Sequence, residues 1–289
     1  MSNIGLIIEE RSRDIGDFLV GRLLPFRKKR MIGPFIFLDH MGPVTLGPGE
    51  RFDVDPHPHI GLSTLTYLLE GTIVHRDSIG TVQEIAPGAV NWMSAGKGVA
   101  HTERSRPEDD NAEMQMHGLQ IWVALPKEKE NMEPAFWHIN ADDLPVWEEK
   151  GIFFKLIAGK AYGEKSPVPV HSELFLLELK NEEASTFELD ASLKGETGIY
   201  ILEGGVKACG ETIEKGHLMV TKPGQVCSFK LLAKSHVIVL GGEPYPEERN
   251  IYWNFVSSSK ETIEEAKEKW KNHEFPNIPN ESGYVPLPG

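Results

Sequence analysis

Cysteine and long apolar runs are scarce in this sequence, and their scarcity excludes several classes of protein. Only Cys209 and Cys227 occur among 289 residues, too few for a disulfide framework and consistent with a reducing compartment. No window is apolar enough for a membrane span, and residues 1–20 contain no uninterrupted apolar stretch of signal-peptide length. We therefore expect a cytoplasmic protein, or a nuclear one in a eukaryote, with no membrane partner.

Basic charge is also in short supply. Thirty Lys and Arg residues oppose 43 Asp and Glu residues, giving a net charge of −13. An acidic surface repels nucleic-acid phosphates, so we expect no direct nucleic-acid binding. The basic run at 27–30 (RKKR) is interpreted as a solvated turn between strands rather than as a localisation or nucleic-acid patch. Small molecules and other proteins are left as partners.

Turn-forming residues, by contrast, are abundant. The 28 glycines and 20 prolines predict many turns and few long helices, which indicates an all-β protein. Residues 66–77 (TYLLEGTIVHRD) resemble 199–210 (IYILEGGVKACG), and 85–101 correspond to 213–229. Short, evenly spaced strands separated by glycine or proline are typical of antiparallel barrels and jelly rolls. We therefore predict two stacked antiparallel β-barrels of jelly-roll type.

The boundary between the predicted barrels is placed in the turn-rich region 140–165. We assign residues 1–145 to the first barrel and 146–289 to the second. The clearest helix lies in 257–275, where Ser259 can cap the N-terminus and apolar residues recur three and four apart. This helix and an irregular tail are predicted to end the second barrel.

Two histidines stand one residue apart, each directly after a proline, at residues 56–59 (PHPH). Residues i and i+2 of a strand face the same side, so His57 and His59 project together if the segment is extended. Pro58 keeps His57 out of helical geometry and also lacks a backbone N–H, which predicts a strand at a sheet edge or entrance. The prolines thus stiffen this segment, which we call the ligand arm because its two histidines are interpreted below as metal ligands.

A second pair with the same spacing, His101 and Glu103, follows the glycine-rich turn within 94–105 (SAGKGVAHTERS). About forty residues with hairpin-like turns separate the two pairs, and such turns can bring their strands side by side. Three imidazoles and one carboxylate without a thiolate suit Fe(II), and also Mn, Co, Ni or Cu. Four protein ligands leave one or two coordination positions open. We therefore predict one divalent metal ion, held by His57, His59, His101 and Glu103.

Several other polar residues have weaker interpretations. His75 is either a structural strand histidine or a partner of a ligand imidazole, while His40 and His117 are interpreted as structural residues. Metal-bound histidines donate their second N–H to an acceptor, and Asp77 and Glu70 are candidates for that acceptor.

The second repeat lacks the ligand pattern. His101 corresponds there to Cys227 and Glu103 to Phe229, and no His-Pro-His arm occurs. The second barrel is therefore predicted to hold no metal.

Four stretches, in this order, resemble the pirin family of the cupin superfamily: DPHPHIGLSTLTYLLEGTIVHRDS, PGAVNWMSAGKGVAHTE, HGLQIWV and GGEPYPEE. The usual cupin motif carries its carboxylate soon after His-x-His, where this chain has Ser63 and Thr64; the carboxylate is Glu103, as in pirins. The resemblance implies a bicupin with one metal, associated with iron, in the N-terminal barrel. It also implies the ligand set His57, His59, His101 and Glu103.

The resemblance implies two alternative functions. One is a metal-dependent dioxygenase similar to quercetin 2,3-dioxygenase, which cleaves a flavonol with O₂ and releases CO. The flavonol 3-hydroxyl would bind the metal as its oxyanion, with Glu103 as general base. The other is an iron-dependent, redox-sensing transcriptional co-regulator acting through protein partners. A metal-dependent isomerase or a sugar-binding cupin fits the motifs less well.

A flat substrate needs an apolar cleft. Four residues near the predicted ligands in sequence are candidates for lining it, with core packing as the alternative: Phe52, Trp92, Met93 and Met114.

Overall fold

The computed structural model describes residues 4–14, 19–106, 112–189, 193–222 and 228–288. The strands of the first half are β1 (Ile4–Glu9), β2 (Arg11–Asp14), β3 (Leu19–Leu24), β4 (Phe35–Leu46), β5 (Asp53–His59), β6 (Leu62–Glu70), β7 (Ile73–Asp77), β8 (Val82–Ile85), β9 (Val90–Ser94), β10 (Val99–Arg104), β11 (Met114–Ala124) and β12 (Ala135–Ile139). Those of the second half are β13 (Val146–Glu149), β14 (Ile152–Ala161), β15 (Glu164–Lys165), β16 (Leu174–Asn181), β17 (Ser185–Glu188), β18 (Glu196–Glu203), β19 (Gly205–Ala208), β20 (Glu211–Glu214), β21 (His217–Thr221), β22 (Ser228–Leu231), β23 (Ser235–Gly242), β24 (Asn250–Tyr252) and β25 (Phe255–Ser257).

One α-helix, α1 (Lys260–Lys271), follows the last strand of the described chain. The predicted all-β fold with a C-terminal helix is confirmed, and its sheets form jelly-roll sandwiches rather than closed barrels. Within the described residues, no helix is both long and apolar enough to cross a membrane. Cys209 is exposed, whereas Cys227 lies outside the described residues.

The chain divides into two compact units, each built from segments that are distant in sequence. The N-terminal unit consists of Arg13–Val20, Asp39–Ala141 and Pro246–Gly289. The C-terminal unit consists of Met1–Ser12, Gly21–Leu38 and Asp142–Tyr245. The predicted cupin boundary at residue 145 stays a prediction, but the helix expected to end the second barrel lies in the N-terminal unit.

The N-terminal unit pairs a small sheet with a large one. The small sheet has the order β5-β10-β7-β8. The large sheet has the order β12-β9-β6-β11-β4-β3-β2, of which β12, β9, β6 and β11 lie wholly within this unit. Its apolar core joins residues of both sheets, with Leu68 and Met116 from the large sheet and Ile73 and Ile85 from the small one. Strand β5 lies at the edge of the small sheet, which confirms the position predicted from Pro58.

The C-terminal unit repeats this arrangement. Its small sheet has the order β17-β22-β19-β20, and its large sheet has the order β1-β21-β18-β23-β16-β14-β13, with β15 beside β14. Phe187 and Phe229 of the small sheet share a core with Leu177 and Val239 of the large sheet. The basic residues 27–30 lie at the turn closed by hydrogen bonds between Phe26 and Lys29, as the sequence predicted.

Helix α1 belongs to the N-terminal unit because its apolar stripe packs there. The Ser259 hydroxyl accepts a hydrogen bond from the backbone N–H of Thr262 at 3.2 Å, which confirms the predicted N-cap. Ile263, Ala266 and Trp270 are buried in a cluster that includes Ile60 and Ala100 of the N-terminal unit. Periodicity identified the buried face, and the cluster shows what that face covers.

The C-terminal segment also contacts strand β5 on both sides of its histidines. The Val285 N–H donates to the Pro56 carbonyl at 3.1 Å, and the Val256 N–H donates to the Ile60 carbonyl at 3.2 Å. Gly61 permits this approach, because a Cβ there, at φ +66°, would lie 1.9 Å from the Val256 carbonyl oxygen. The predicted ligand arm is thus hydrogen-bonded at both ends.

A buried ion pair anchors the start of the same segment. Arg249 Nε lies 3.1 Å from Glu130 Oε1, and both side chains are almost fully buried. Glu130 also accepts hydrogen bonds from the Ser257 hydroxyl and from the Ser258 backbone. Such pairing satisfies charges that would be costly if left alone in the interior.

Candidate metal centre

Strands β5 and β10 bring the two predicted pairs side by side. They are antiparallel, and His57 stands directly opposite His101. The ring centroids of these two residues are 4.3 Å apart, and those of His59 and His101 are 5.0 Å apart. His59 Nε2 lies 3.1 Å from His101 Nε2. The strand pairing inferred from the turns is confirmed, and the three imidazoles converge as the shared face predicted.

Glu103 lies beside this triad, next to a residue that was not predicted as a ligand. It stands opposite His75 of β7 in the sheet register, and its Oε1 accepts a hydrogen bond from the Thr66 hydroxyl at 2.8 Å. The candidate ligand atoms form two groups, each within 4.8 Å: His57, His59 and His101, and then His75, His101 and Glu103. The four predicted ligands thus fall in two groups that share His101, and their roles as ligands stay a prediction.

His75 and Asp77 adjoin the triad of His57, His59 and His101. Together with Glu103 these residues form one buried polar cluster. Asp77 Oδ2 lies 3.0 Å from His75 Nε2, and His75 Nδ1 lies 3.3 Å from His101 Nδ1. The sequence left His75 open between a structural and a supporting residue. Its signal was the spacing of His75 and Asp77, which have the same i, i+2 relation as the two predicted ligand pairs.

Burial dominates the electrostatics of the triad. It lowers the pKa of His57 to about 4, against the opposing effect of the hydrogen bond to the Asp55 carbonyl. Burial, followed by the neighbouring histidines, lowers the pKa values of His59 and His101 well below the ordinary value. Near neutral pH these imidazoles are therefore uncharged, and a neutral imidazole keeps the lone pair that a metal requires.

Burial acts in the opposite direction on the carboxylate. It raises the pKa of Glu103, against the opposing electrostatic effect of His75 and the Thr66 hydrogen bond. A nearby cation favours the ionised form of such a group. Three neutral nitrogen donors and one buried oxygen donor therefore fit a divalent transition metal. His59 Nε2 and His101 Nε2 lie 3.1 Å apart, and a hydrogen bond between them would use the lone pair of only one of the two nitrogens.

The aromatic residues closest to the cluster differ from those proposed from sequence. The Trp122 ring meets His59 edge-on at 5.0 Å, and Phe136 stacks on His75 at 4.6 Å. Phe52, Trp92 and Met93 are buried in the core. Met114 packs partly buried against the core cluster of the same unit. Core packing is therefore the interpretation that the structure supports for the four candidates.

Each of the remaining sequence candidates has its own environment in the described structure. His40 Nε2 and His117 Nε2 are 2.9 Å apart and buried, so these two histidines are polar partners of each other. Glu70 is exposed, so it does not supply the acceptor for a triad imidazole. Asp77 supplies an acceptor through His75.

Comparison with known proteins agrees with this architecture. The pirin family profile matches residues 18–123, and the profile of the pirin C-terminal cupin domain matches residues 176–276. A pirin-like protein of Caulobacter vibrioides is 47% identical over 290 residues, which cover 99% of this chain and 99% of that protein.

Solved structures give the same result. The crystal structure of a quercetin 2,3-dioxygenase from Acinetobacter baumannii is similar with a TM-score of 0.91 and 38% identity, covering 98% of this chain and 95% of that one. The bacterial pirin YhhW from Escherichia coli, in complex with nickel(II), shares the fold with a TM-score of 0.65 and 18% identity, covering 83% of this chain and 99% of that one. A relative that is 47% identical across almost the whole chain, together with both family profiles, shows that the chain belongs to the pirin family.

Proposed function

We propose that this chain is a metal-dependent dioxygenase of the quercetin 2,3-dioxygenase type, which converts a flavonol and O₂ to a ring-opened ester and CO. The observation that carries the proposal is the buried convergence of His57, His59 and His101 beside Glu103. It occurs in a chain that is 38% identical to a quercetin 2,3-dioxygenase over 98% of its length.

The metal would be held by His57, His59, His101 and Glu103. Nitrogen and oxygen donors of this kind suit Fe(II) first, and also Mn, Co, Ni or Cu. A divalent ion supplies Lewis acidity, which lowers the pKa of a bound hydroxyl and stabilises the developing oxyanion. The substrate class that profits is an aromatic enediol such as the 3-hydroxyflavone core.

Glu103 would accept the proton of the flavonol 3-hydroxyl. Its burial raises the pKa of the carboxyl, and a raised pKa makes a carboxylate a stronger base near neutral pH. Thr66 holds one carboxylate oxygen, Oε1, through a 2.8 Å hydrogen bond, which leaves Oε2 to face substrate or metal. Trp122 and Phe136 bound the cluster with apolar surface and would limit the access of water.

The test incubates Fe(II)-loaded protein with quercetin in air and under nitrogen. We expect the flavonol absorbance to fall and CO to appear in air only, with one CO released per quercetin consumed. Glu103→Gln should slow turnover by about 100-fold, the usual contribution of a general base. His138→Ala is the matched control. His138 is hydrogen-bonded to Asn91 of the large sheet and is not one of the proposed ligands.

The same assay addresses the regulatory alternative. Metal-loaded protein that binds iron tightly but releases no CO above the metal-free control would contradict the dioxygenase proposal. Such a result would favour the metal as a sensor of redox state.

A further inference from the structure

Asp77 is held in a fixed orientation by the backbone around it. Its Oδ1 accepts hydrogen bonds from the backbone N–H groups of Ile79 at 3.1 Å and Thr81 at 2.9 Å. Asp77 is fully buried, so these bonds replace water. A carboxylate held in this way presents its second oxygen, Oδ2, as an acceptor.

The fixed acceptor decides which nitrogen of His75 carries the proton. His75 Nε2 lies 3.0 Å from Asp77 Oδ2, so Nε2 must carry the hydrogen and donate it. A neutral imidazole has only one N–H. His75 Nδ1 therefore presents a lone pair, and that atom faces His101 Nδ1 at 3.3 Å.

The same reasoning decides which nitrogen of His101 carries its proton. His101 Nδ1 must donate to the lone pair on His75 Nδ1, which leaves the lone pair of His101 on Nε2. His101 Nε2 is the atom that faces His59 Nε2 at 3.1 Å, inside the triad. His57 is oriented similarly by another acceptor, since its Nδ1 lies 2.8 Å from the Asp55 carbonyl.

We propose that Asp77 and His75 are positioning residues, which form a hydrogen-bonded chain that fixes the tautomer of His101 and aims its Nε2 at the metal. This inference rests on the proposed function, because it takes His101 as a ligand. It also assigns His75 a role outside the ligand set, since each of its ring nitrogens already has a partner. Partners of this kind change metal affinity by about 10- to 100-fold in known sites.

The decisive variant is Asp77→Asn, which keeps the shape of the side chain and reverses the direction of the hydrogen-bonded chain. The amide oxygen of the substituted side chain can still accept from Ile79 and Thr81, but its NH₂ group would donate to His75 Nε2. The proton of His75 then moves to Nδ1, and that of His101 moves to Nε2, where it opposes the metal. Co(II) is the probe, measured by competition with a chromophoric chelator.

We expect Asp77→Asn to raise the Kd for Co(II) by about 10- to 100-fold. In the Co(II)-loaded parent, the His101 Nδ1–H should give a shifted, slowly exchanging NMR resonance, which the variant loses. Glu178→Gln is the matched control: Glu178 accepts from His236 Nε2 at 2.8 Å, so it forms a buried carboxylate–imidazole pair in the C-terminal unit, which contains none of the proposed ligands. Its Kd for Co(II) should equal that of the parent.

A second pair of variants keeps the proposal testable if Asp77→Asn fails to fold. His75→Gln retains a carbonyl that can accept from His101 Nδ1–H, whereas His75→Leu does not. We expect the Gln variant to bind Co(II) about tenfold more tightly than the Leu variant.

Equal affinities of the two His75 variants, or an Asp77→Asn variant within twofold of the parent with its resonance retained, would overturn the proposal. A variant that lowers the melting temperature without changing the Kd would do the same, because it would show a purely structural role. A parent that binds Co(II) but does not consume quercetin contradicts the dioxygenase function alone.

Discussion

The two units of this protein have small sheets with the same strand arrangement but different side chains at matched positions. In the N-terminal unit the order is β5-β10-β7-β8, and in the C-terminal unit it is β17-β22-β19-β20. His57 faces His101 across the first pair of strands, while Phe187 faces Phe229 across the second. Both phenylalanines are buried in the apolar core of their unit.

This difference teaches that the fold does not depend on the imidazole cluster. Both groups of candidate metal ligands found among the described residues lie in the N-terminal unit. Glu103 corresponds in the repeat to Phe229, which is 1% exposed. At these matched strand positions one copy of the sandwich therefore carries a polar cluster, and the other carries aromatic core residues.

The largest effect is expected on the free energy of unfolding, when an aromatic core residue of the C-terminal small sheet is removed. Phe229→Ala should lower the free energy of unfolding by about 3–5 kcal/mol, because it removes a buried aromatic ring and leaves a cavity. Urea denaturation of the metal-free chain measures the loss. The Kd for Co(II) should stay within twofold of the parent. A large change in metal affinity would contradict the separate roles of the two small sheets.

Removing a proposed ligand from the N-terminal small sheet should instead weaken metal binding. His101→Ala removes one of four proposed ligands, and we expect it to cost about 3 kcal/mol of metal binding, or about 100-fold in Kd. Elemental analysis of protein purified without added metal provides the measurement, with His138→Ala as control. Full metal content in His101→Ala would show that His101 is not a ligand.

Acid should lower the free energy of unfolding of the two units over different pH ranges. The pKa of His57 is lowered to about 4 by burial, so below about pH 6.5 the unfolded chain takes up a proton that the folded chain does not bind. The free energy of unfolding of the metal-free N-terminal unit should therefore fall between about pH 6.5 and 4, by about 1.4 kcal/mol per pKa unit for this residue. His59 and His101 act in the same direction, and Glu103, whose pKa is raised, acts in the opposite one.

The C-terminal unit should respond at lower pH. Burial alone would raise the pKa of Glu178, but the His236 hydrogen bond and the charge of Lys180 outweigh it and lower the pKa to about 2. The stability this carboxylate contributes is complete above about pH 4.5 and is lost as the pH falls towards 2. Hydrogen exchange of peptides from β10 and β23, corrected for intrinsic rates, should show β10 losing protection first. Simultaneous loss would contradict this assignment.

The smallest effect is expected from Glu281, in the C-terminal segment that contacts strands β5 and β10. Glu281 Oε2 accepts from Arg104 Nε at 3.0 Å, and Arg104 also contacts Asp55 of β5 at 2.9 Å. Glu281→Gln weakens this link by about 1 kcal/mol, the size of a charge-assisted hydrogen bond at a partly exposed position. We expect the Kd for Co(II) to rise about fivefold. Glu268→Gln, which breaks an exposed pair with Lys271 on α1, should leave the Kd unchanged.

Local patterns predicted much of the fold and of the cluster. The two-residue spacing of His57 and His59 fixed a shared face because strand geometry has a period of two, and Pro58 indicated the sheet edge because it lacks an N–H. The cap at Ser259 followed from side-chain chemistry. Each of these predictions depends on residues that are neighbours in the chain.

The parts that the sequence did not reveal depend on distant partners. The stripe on α1 was visible, but its burial against Ile60 and Ala100 could not be read from periodicity. The link from Asp77 through His75 to His101 requires the register of β7 against β10. Trp122 and Phe136 likewise reach the cluster only through the arrangement of the sheets.

The hydrogen bonds from Val256 and Val285 to the two ends of the ligand arm have a consequence for biosynthesis. A ribosome makes Pro56 and Ile60 long before it makes their partners, so the outer side of β5 stays bare while most of the chain is still being synthesised. An unpaired strand border invites mispairing with other chains, and proline at positions 56 and 58 reduces that hazard by withholding two N–H groups. The same prolines that stiffen the arm thus protect the nascent polypeptide until the segment with Val256 and Val285 is translated.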